Sequence, residues 1–309
     1  MKGFFKNISP FNNKTDMQDV LFIVKKILAF WFCYISGLFI AEGIAILLHF
    51  ACGKNMLIGE TFDFQNMLLI KYYGYAVVIA TVLVYWKVVE KKRLSNMGVT
   101  NGFGSFFIGI IVAFCLLLIS VGIIVLTGNM KYWGIFQNIN ILMIILFIGG
   151  FIIQGAMEEV LCRGFLLYTL KEKVSLPVAV LMSTVMFILP HWSSLFAGKV
   201  IYGVSGIINL VLISIIFSLL TIHYKSIWAA CGLHSFWNAV LYSVLGLNLS
   251  GNDETFMAVF NLQSVGENIW NGGVYGIEAS GVTTVVLALF VVLLLQMMKC
   301  TNLRNSSEE

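Results

Sequence analysis

The chain has 309 residues, of which 59% are hydrophobic and only 11% are charged. Soluble domains carry about a quarter charged residues, so this composition and a mean hydropathy of +0.92 exclude a soluble globular protein. They predict an integral membrane protein with many helices. The net charge of +4 is small, and no nucleic-acid partner is expected. Six scattered cysteines with no CxxC pair predict free thiols.

Eight apolar stretches of roughly 20 residues each are long enough to cross about 30 Å of hydrocarbon as helices. They predict an all-α fold, a polytopic membrane bundle of about eight transmembrane helices, with residues 1–309 forming a single integral membrane domain. The fourth stretch is longer than one span needs, which predicts a tilted, kinked or partly interfacial helix. The predicted spans are 27–51, 68–88, 103–126, 139–170, 176–191, 206–222, 227–247 and 281–298.

The basic residues predict the orientation of these spans. With a cytoplasmic N terminus, only Lys54, Lys71, Lys131 and Lys199 face outward, so 15 of the 19 Lys and Arg residues lie at or nearest the cytoplasmic side. This bias predicts a cell-membrane protein with both termini in the cytoplasm. The long polar stretch 248–280 is then an outer loop, predicted to be structured and to contain a short helix.

Three charged side chains interrupt the fourth apolar stretch. Glu158, Glu159 and Arg163 lie between uncharged runs. A charge at the centre of a membrane helix costs about 3 kcal/mol on insertion scales, so this group needs mutual pairing, a polar cavity, or both. The i,i+4 pair Glu159–Arg163 is most simply a neutralised structural ion pair. Glu158 projects about 100° away from Glu159, which makes it the better candidate for an active carboxylate.

Two further spans bring polar groups to a similar depth. The fifth ends in Phe187-Ile188-Leu189-Pro190-His191, and the seventh carries His234 and Asn238 one turn apart on the same face. At about 1.5 Å per residue, Glu158, His191 and Asn238 lie about 20 to 22 Å from the cytoplasmic ends of their helices, and His234 about 14 Å. The four side chains are therefore predicted to face one polar cavity.

Together, the patterns Glu158-Glu159-x-x-x-Arg163, Phe187-x-x-x-His191 and His234-x-x-x-Asn238 resemble the three motifs of the CPBP family. This family comprises the CAAX prenyl endopeptidases and bacteriocin-processing or immunity enzymes, also called Abi proteins. Each motif alone is weak, but all three in order, each inside an apolar span, make a strong signal. The resemblance covers residues 139–247, the catalytic core helices, and segment 93–99 also resembles a basic segment found upstream in the family.

The resemblance implies an intramembrane endopeptidase, a hydrolase that cleaves a lipidated or membrane-associated peptide or protein through a water activated by Glu and His. Glu158 would be the general base, and His191 would hold the water, directly or through a metal. His234 and Asn238 would stabilise the oxyanion or orient the same water. The supporting residues would be Glu159, Arg163 and Phe187.

The motifs leave metal dependence open. Glu158, His191 and His234 would make a zinc ligand set, as in a metalloprotease. The HExxH pattern is absent, however, and a site without a tightly bound metal is slightly favoured. If Glu158 were a ligand, Glu159 would be the substitute base.

Other functions remain alternatives. A non-catalytic bacteriocin immunity protein or membrane scaffold could keep the same fold. A transporter also places Glu, His and Asn near the membrane midplane, but usually with a second set in a repeated half, and none is visible. Glu42 and His49 in the first span have no partner visible in the sequence and are predicted to be structural. The expected partners are the lipid bilayer and a substrate that could be a prenylated CAAX peptide, a bacteriocin or pheromone precursor, or a membrane-protein tail.

Overall fold

The computed structural model describes residues 8–100, 102–196, 198–249 and 258–307. Within these ranges the protein is a bundle of eight helices with one small sheet, so the predicted all-α membrane bundle is confirmed. Seven of the helices are long and apolar enough to cross a membrane. The helices are α1 Asp19–Ala51, α2 Phe64–Glu90, α3 Gly104–Leu126, α4 Ile141–Leu170, α5 Leu176–Leu195, α6 Val200–Tyr224, α7 Trp228–Ala239 and α8 Gly281–Ser307.

Helix α7 is shorter than a typical span, yet it carries the chain from the end of the bundle where α3 begins to the end where α3 finishes. At its start Ile227 N donates to the carbonyl oxygen of Gly98, and just after it Leu245 O accepts from Leu262 N, in the segment that pairs with residues 130–135.

The 12 α-helical residues of α7 continue only through a five-residue π-helical segment, Val240–Val244, whereas a span needs about 20 residues. The helix is enclosed by protein, because it packs against α3, α4 and α6. Glycines bring α3 and α7 into backbone contact. A Cβ on Gly109 would lie 2.0 Å from the carbonyl oxygen of Ala229, and one on Gly232 would lie 2.0 Å from that of Phe106.

Helix α1 begins at Asp19, before the predicted start at residue 27, because a charge inside its first turns is neutralised. The side chain of Lys26 is buried and forms an ion pair of 2.6 Å with the buried Glu90 at the end of α2. This pair offsets part of the desolvation cost, which a lone buried ammonium would bear in full. The apolar pattern therefore marks the membrane-embedded part of α1 but not its whole length.

Helices α4 and α5 both leave regular α-helical geometry near the predicted site. Helix α4 is α-helical over Ile141–Glu159 and π-helical over Val160–Leu167. Such π-helical segments within α-helices occur frequently at functional sites. Helix α5 passes through a 3-10 turn, Leu189–His191, where Pro190 has no backbone N–H to donate, and it then continues to Leu195.

A two-stranded antiparallel sheet lies at the end of the bundle where α3 ends and α4 begins. Strand β1, Met130–Ile135, pairs with β2, Phe260–Ser264, and neither strand is predicted from the sequence. In its described part the 248–280 loop is structured and contains two short 3-10 helices, Gly273–Tyr275 and Ile277–Ala279. Residues 250–257 of this loop lie outside the described residues.

The orientation of the bundle in the membrane stays a prediction. A reporter that is active only on the outer face should remain inactive when fused after residue 305 and become active when inserted after residue 138, in the loop that follows β1. The reason is that the side carrying both termini holds 15 of the 19 basic residues. The opposite pattern of reporter activity would show that the bundle is inverted.

Candidate active site

The four predicted catalytic side chains line one cavity of about 1080 Å³ inside the bundle. Ligand pockets usually have volumes of about 300 to 1000 Å³, so this cavity can hold a short peptide segment. Glu158 enters it from α4, His191 from α5, and His234 and Asn238 from α7. The structure thus brings the four side chains together, while their catalytic roles stay a prediction.

A buried carboxylate, Glu159, holds the histidine of α7. Its Oε1 accepts a hydrogen bond of 3.1 Å from Nη1 of Arg163 and lies 2.9 Å from Nδ1 of His234, and all three side chains are buried. The predicted Glu159–Arg163 ion pair is therefore present, with His234 as a third member that the sequence did not predict. A carboxylate beside Nδ1 favours the tautomer protonated at that nitrogen. Nε2 of His234 is then a hydrogen-bond acceptor.

Arg163 is held from two further sides. Its guanidinium carbon lies 4.6 Å from the ring centre of Phe187 and 5.0 Å from that of Phe217. Its Nη2 donates to Oγ of Ser214 on α6 at 2.7 Å. The ring of Phe217 also stacks on His234, with centroids 5.0 Å apart and an interplanar angle of 16°. The arginine therefore lies behind the cavity wall, where it fixes Glu159 and thereby the imidazole of His234.

Gln154 joins Glu158 to Asn238, and it is not among the site residues predicted from the sequence. Gln154 Nε2 donates to Oε1 of Glu158 at 2.5 Å, and Nδ2 of Asn238 donates to Oε1 of Gln154 at 2.8 Å. The i,i+4 spacing of Gln154 and Glu158 is a signal that could have been read from the sequence. Its bond to Asn238 could not, because it depends on the close packing of α4 against α7. At Gly155 a Cβ would lie 2.7 Å from Oγ of Ser235.

His191 reaches the cavity from the 3-10 turn of α5. Its Nδ1 lies 3.0 Å from the carbonyl oxygen of Phe187, so this nitrogen is the donor and Nε2 is the acceptor. The ring of Phe187 is 5.4 Å from the His191 ring and 5.9 Å from the His234 ring, measured between centroids. The cavity is therefore lined by two imidazole acceptors and the Glu158 carboxylate, all of which are groups that accept hydrogen bonds from water.

The residues of the zinc alternative share the cavity but do not form a ligand cluster. Among the described residues, no group of three or more His, Cys, Asp or Glu side chains is placed to hold a metal ion. The contact of His234 Nδ1 with Glu159 leaves Nε2 available as a ligand. As placed, Glu158, His191 and His234 do not fit a tetrahedral zinc site, and zinc binding by these residues stays a prediction.

The two ionisable residues of the first span lie in different surroundings. His49 is buried, its Nδ1 is 2.7 Å from the carbonyl oxygen of Ala45, and its ring is 4.5 Å from that of Phe62. These contacts agree with a structural role. Glu42 was also predicted to be structural, but it lines the cavity, as does Lys71 of α2.

Comparison with known proteins gives one family. Residues 140–240 match the family model described as type II CAAX prenyl endopeptidase Rce1-like. This stretch contains all three motifs and the whole of α4 to α7, and it agrees with the resemblance seen in the sequence. No curated protein and no solved structure matched the chain.

Proposed function

We propose a mechanism for a protein whose residues 140–240 belong to the Rce1-like family of type II CAAX prenyl endopeptidases. Membership of this family supports a CAAX-type intramembrane protease, a multi-pass membrane protein that acts on membrane-associated substrates. The reaction we propose is hydrolysis of a peptide bond by a water that Glu158 activates. The observation that carries this proposal is the placement of Glu158 in the same cavity as two histidines whose Nδ1 atoms are both engaged.

Glu158 removes a proton from the water as the water oxygen attacks the scissile carbonyl carbon. The C–N bond then breaks, and the proton passes from Glu158 to the leaving amine. The products are a peptide with a new carboxyl group and a peptide with a new amino group. Because the Nε2 atoms of His191 and His234 are hydrogen-bond acceptors, these two side chains are suited to orienting the water. Asn238 keeps one amide hydrogen for the oxyanion, because Gln154 takes the other.

Glu159 and Arg163 act through His234 and do not touch the reacting atoms. Their contacts hold the imidazole in one rotamer and one tautomer, which corresponds to the role of the carboxylate in hydrolases with a carboxylate–histidine pair. Positioning of this kind matters because a small displacement of a catalytic group costs a large factor in rate.

Cleavage by the purified protein tests the proposed function. The full chain, reconstituted in lipid, is incubated with membrane-anchored peptides, prenylated and unprenylated, with and without a chelator, and the products are identified by mass spectrometry. The same protein carrying His191→Ala is the control for contaminating proteases. We expect cleavage by the wild-type protein that His191→Ala lacks. Equal product from both proteins would favour the non-catalytic alternative, and loss of activity with chelator would show that a metal takes part.

Gln154→Leu should lower kcat about 10-fold with a smaller change in KM. The substitution keeps the approximate volume but removes both hydrogen bonds that orient Glu158 and Asn238, and a bond to a charged group contributes about 1.5 to 3 kcal/mol, where 1.4 kcal/mol is about a factor of 10. Gln296→Leu makes the same chemical change on the exposed face of α8 and is the matched control. An unchanged kcat for Gln154→Leu would show that Glu158 does not depend on this link.

A further inference from the structure

The cavity is closed toward one end of the bundle. We call this the terminal end, where α1 begins and α2 ends, and the opposite end the distal end. Toward the terminal end, the last side chains that line the cavity on five helices are Phe30, Tyr75, Cys162, Met186 and Phe217. About one turn further, the same five helices carry buried side chains, namely Lys26, Val78, Phe165, Ser183 and Leu220. Packed protein therefore separates the cavity from the terminal end.

An aromatic cluster and an ion pair strengthen this closure. The ring of Phe165 on α4 packs against Tyr85 and Trp86 of α2, with ring centroids 5.7 and 6.1 Å apart. One turn beyond Trp86, the buried ion pair Lys26–Glu90 joins α1 to α2. These contacts leave neither water nor a peptide an open path into the cavity through the described part of the terminal end.

At the distal end the cavity wall reaches the surface of the bundle. The wall there includes Met56 in the connection between α1 and α2, Phe64 at the start of α2 and Ser194 near the end of α5. Phe64 is 53% exposed although it lines the cavity. The cavity is therefore open at the distal end.

Two charged side chains of membrane-spanning helices line the distal part of the cavity. Glu42 of α1 and Lys71 of α2 are both exposed, and the salt bridges of the described chain include neither of them. Glu42 lies about 14 Å from the end of α1 at Ala51, which is further than its side chain can reach. Charged side chains within membrane spans face water-filled cavities or the interior of a bundle, because hydrocarbon does not solvate them. Their placement therefore indicates that this part of the cavity is hydrated from the distal end.

We propose that the substrate segment and the attacking water reach Glu158 through the distal opening. This inference rests on the proposed peptidase function and specifies its substrate class. In the predicted orientation the distal end faces outward, so the substrates are peptide segments presented at the outer face of the membrane. A cytoplasmic tail would instead meet the closed terminal end.

Thiol labelling from each side of the membrane tests the opening. The starting protein has the exposed cysteines of the described chain, Cys52, Cys115 and Cys300, replaced by alanine and carries an N-terminal tag. It is reconstituted so that most lipid vesicles hold a single protein, and the vesicles are sorted by capture of outward-facing tags. Glu42→Cys and Lys71→Cys are then treated with a charged, membrane-impermeant maleimide.

We expect both variants to be labelled at least 10-fold faster when the tag lies inside the vesicle, because only then does the distal end face the reagent. Faster labelling with the tag outside would overturn the inference. Failure of both thiols to react from either side, in protein that reacts once it is denatured, would also overturn it, because the cavity would then not be hydrated.

Ala76→Cys is the matched control. Ala76 is exposed on the same helix as Lys71 but is not among the described residues that line the cavity. In lipid the reactive thiolate form of a cysteine is disfavoured, so slow labelling is expected from both sides. Labelling of Ala76→Cys as fast as that of Lys71→Cys would place the water outside the cavity and overturn the inference.

Cleavage is measured in the same sorted vesicles, with a membrane-anchored peptide added from outside. We expect at least 10-fold faster cleavage when the tag lies inside. Prior labelling of Lys71→Cys should lower this rate by a similar factor because the bound reagent narrows the opening, whereas prior treatment of Ala76→Cys should not. Faster cleavage with the tag outside would overturn the inference. Labelling from the distal end without cleavage in any preparation would keep the opening and refute the peptidase.

Discussion

Glu158→Gln should lower the rate of peptide hydrolysis by about 10²–10⁴-fold while the protein stays folded and inserted in the membrane. Glutamine keeps the volume of the side chain and can still hydrogen-bond to Gln154, but it cannot accept the proton of the attacking water. The loss should therefore appear in kcat, with KM little changed. Single-turnover kinetics in lipid measure the rate, and thermal unfolding of the same preparation checks the fold.

The adjacent glutamate provides a control with the same chemical change. Glu159→Gln should lower the melting temperature as well as the rate, because breaking one partner of a buried ion pair costs about 3 to 5 kcal/mol and Glu159 Oε1 contacts both Arg163 and His234. If Glu158→Gln cleaves at the wild-type rate while Glu159→Gln is inactive yet fully stable, the two roles are reversed. Normal cleavage by both variants would mean that the protein is not a protease of this kind.

Gly109→Ala should destabilise the folded protein. The added Cβ would lie 2.0 Å from the carbonyl oxygen of Ala229 and 2.7 Å from the backbone nitrogen of Leu233. These are main-chain atoms, so α3 and α7 would have to move apart as whole helices. Overpacking in a tight core costs about 1 to 3 kcal/mol and sometimes more, and the displaced helix carries His234. Yield of monodisperse protein, melting temperature in detergent and cleavage rate should all fall.

Gly122→Ala is the control for this substitution because it lies in the same helix. No described heavy atom that the added Cβ could meet lies within 4 Å of it, and alanine is favoured over glycine inside a helix by up to about 1 kcal/mol. This variant should therefore be as stable as the wild-type protein or more so. A Gly109→Ala protein that melts like Gly122→Ala would show that α3 and α7 do not approach as closely as the structure places them.

The membrane fold could be predicted from composition because an apolar stretch of about 20 residues has few stable alternatives in lipid. The sequence-based predictions are wrong at positions where contacts with other parts of the protein, and not contacts with lipid or water, determine the structure. The start of α1 depends on the Lys26–Glu90 ion pair between two helices. The strands β1 and β2 were missed because their pairing joins Met130 to Ser264, far apart in the chain. Neither contact has a local sequence pattern.

The same distinction applies to the candidate site: features set by a single helix could be predicted, and contacts between helices could not. The depths of Glu158, His191 and Asn238 follow from helix rise alone, and these side chains do share a cavity. By contrast, the contact between Glu159 and His234 depends on how α4 and α7 are rotated about their axes. The π-helical segment that begins directly after Glu159 changes this rotation, and the spacing of residues in the sequence does not predict such a segment.

The enclosure of α7 has a consequence for biogenesis. This helix carries His234 and Asn238, and with 12 α-helical residues it is a poor candidate for independent insertion from the translocon. Membrane helices can associate closely through contacts between small residues. Gly109 provides such a contact on α3, which is synthesised before α7. Helix α4, with Glu158 and Glu159, is therefore synthesised before His234 of α7 can contact Glu159. If the proposed mechanism is correct, the full set of catalytic side chains is assembled only after α7 has packed against α3 and α4.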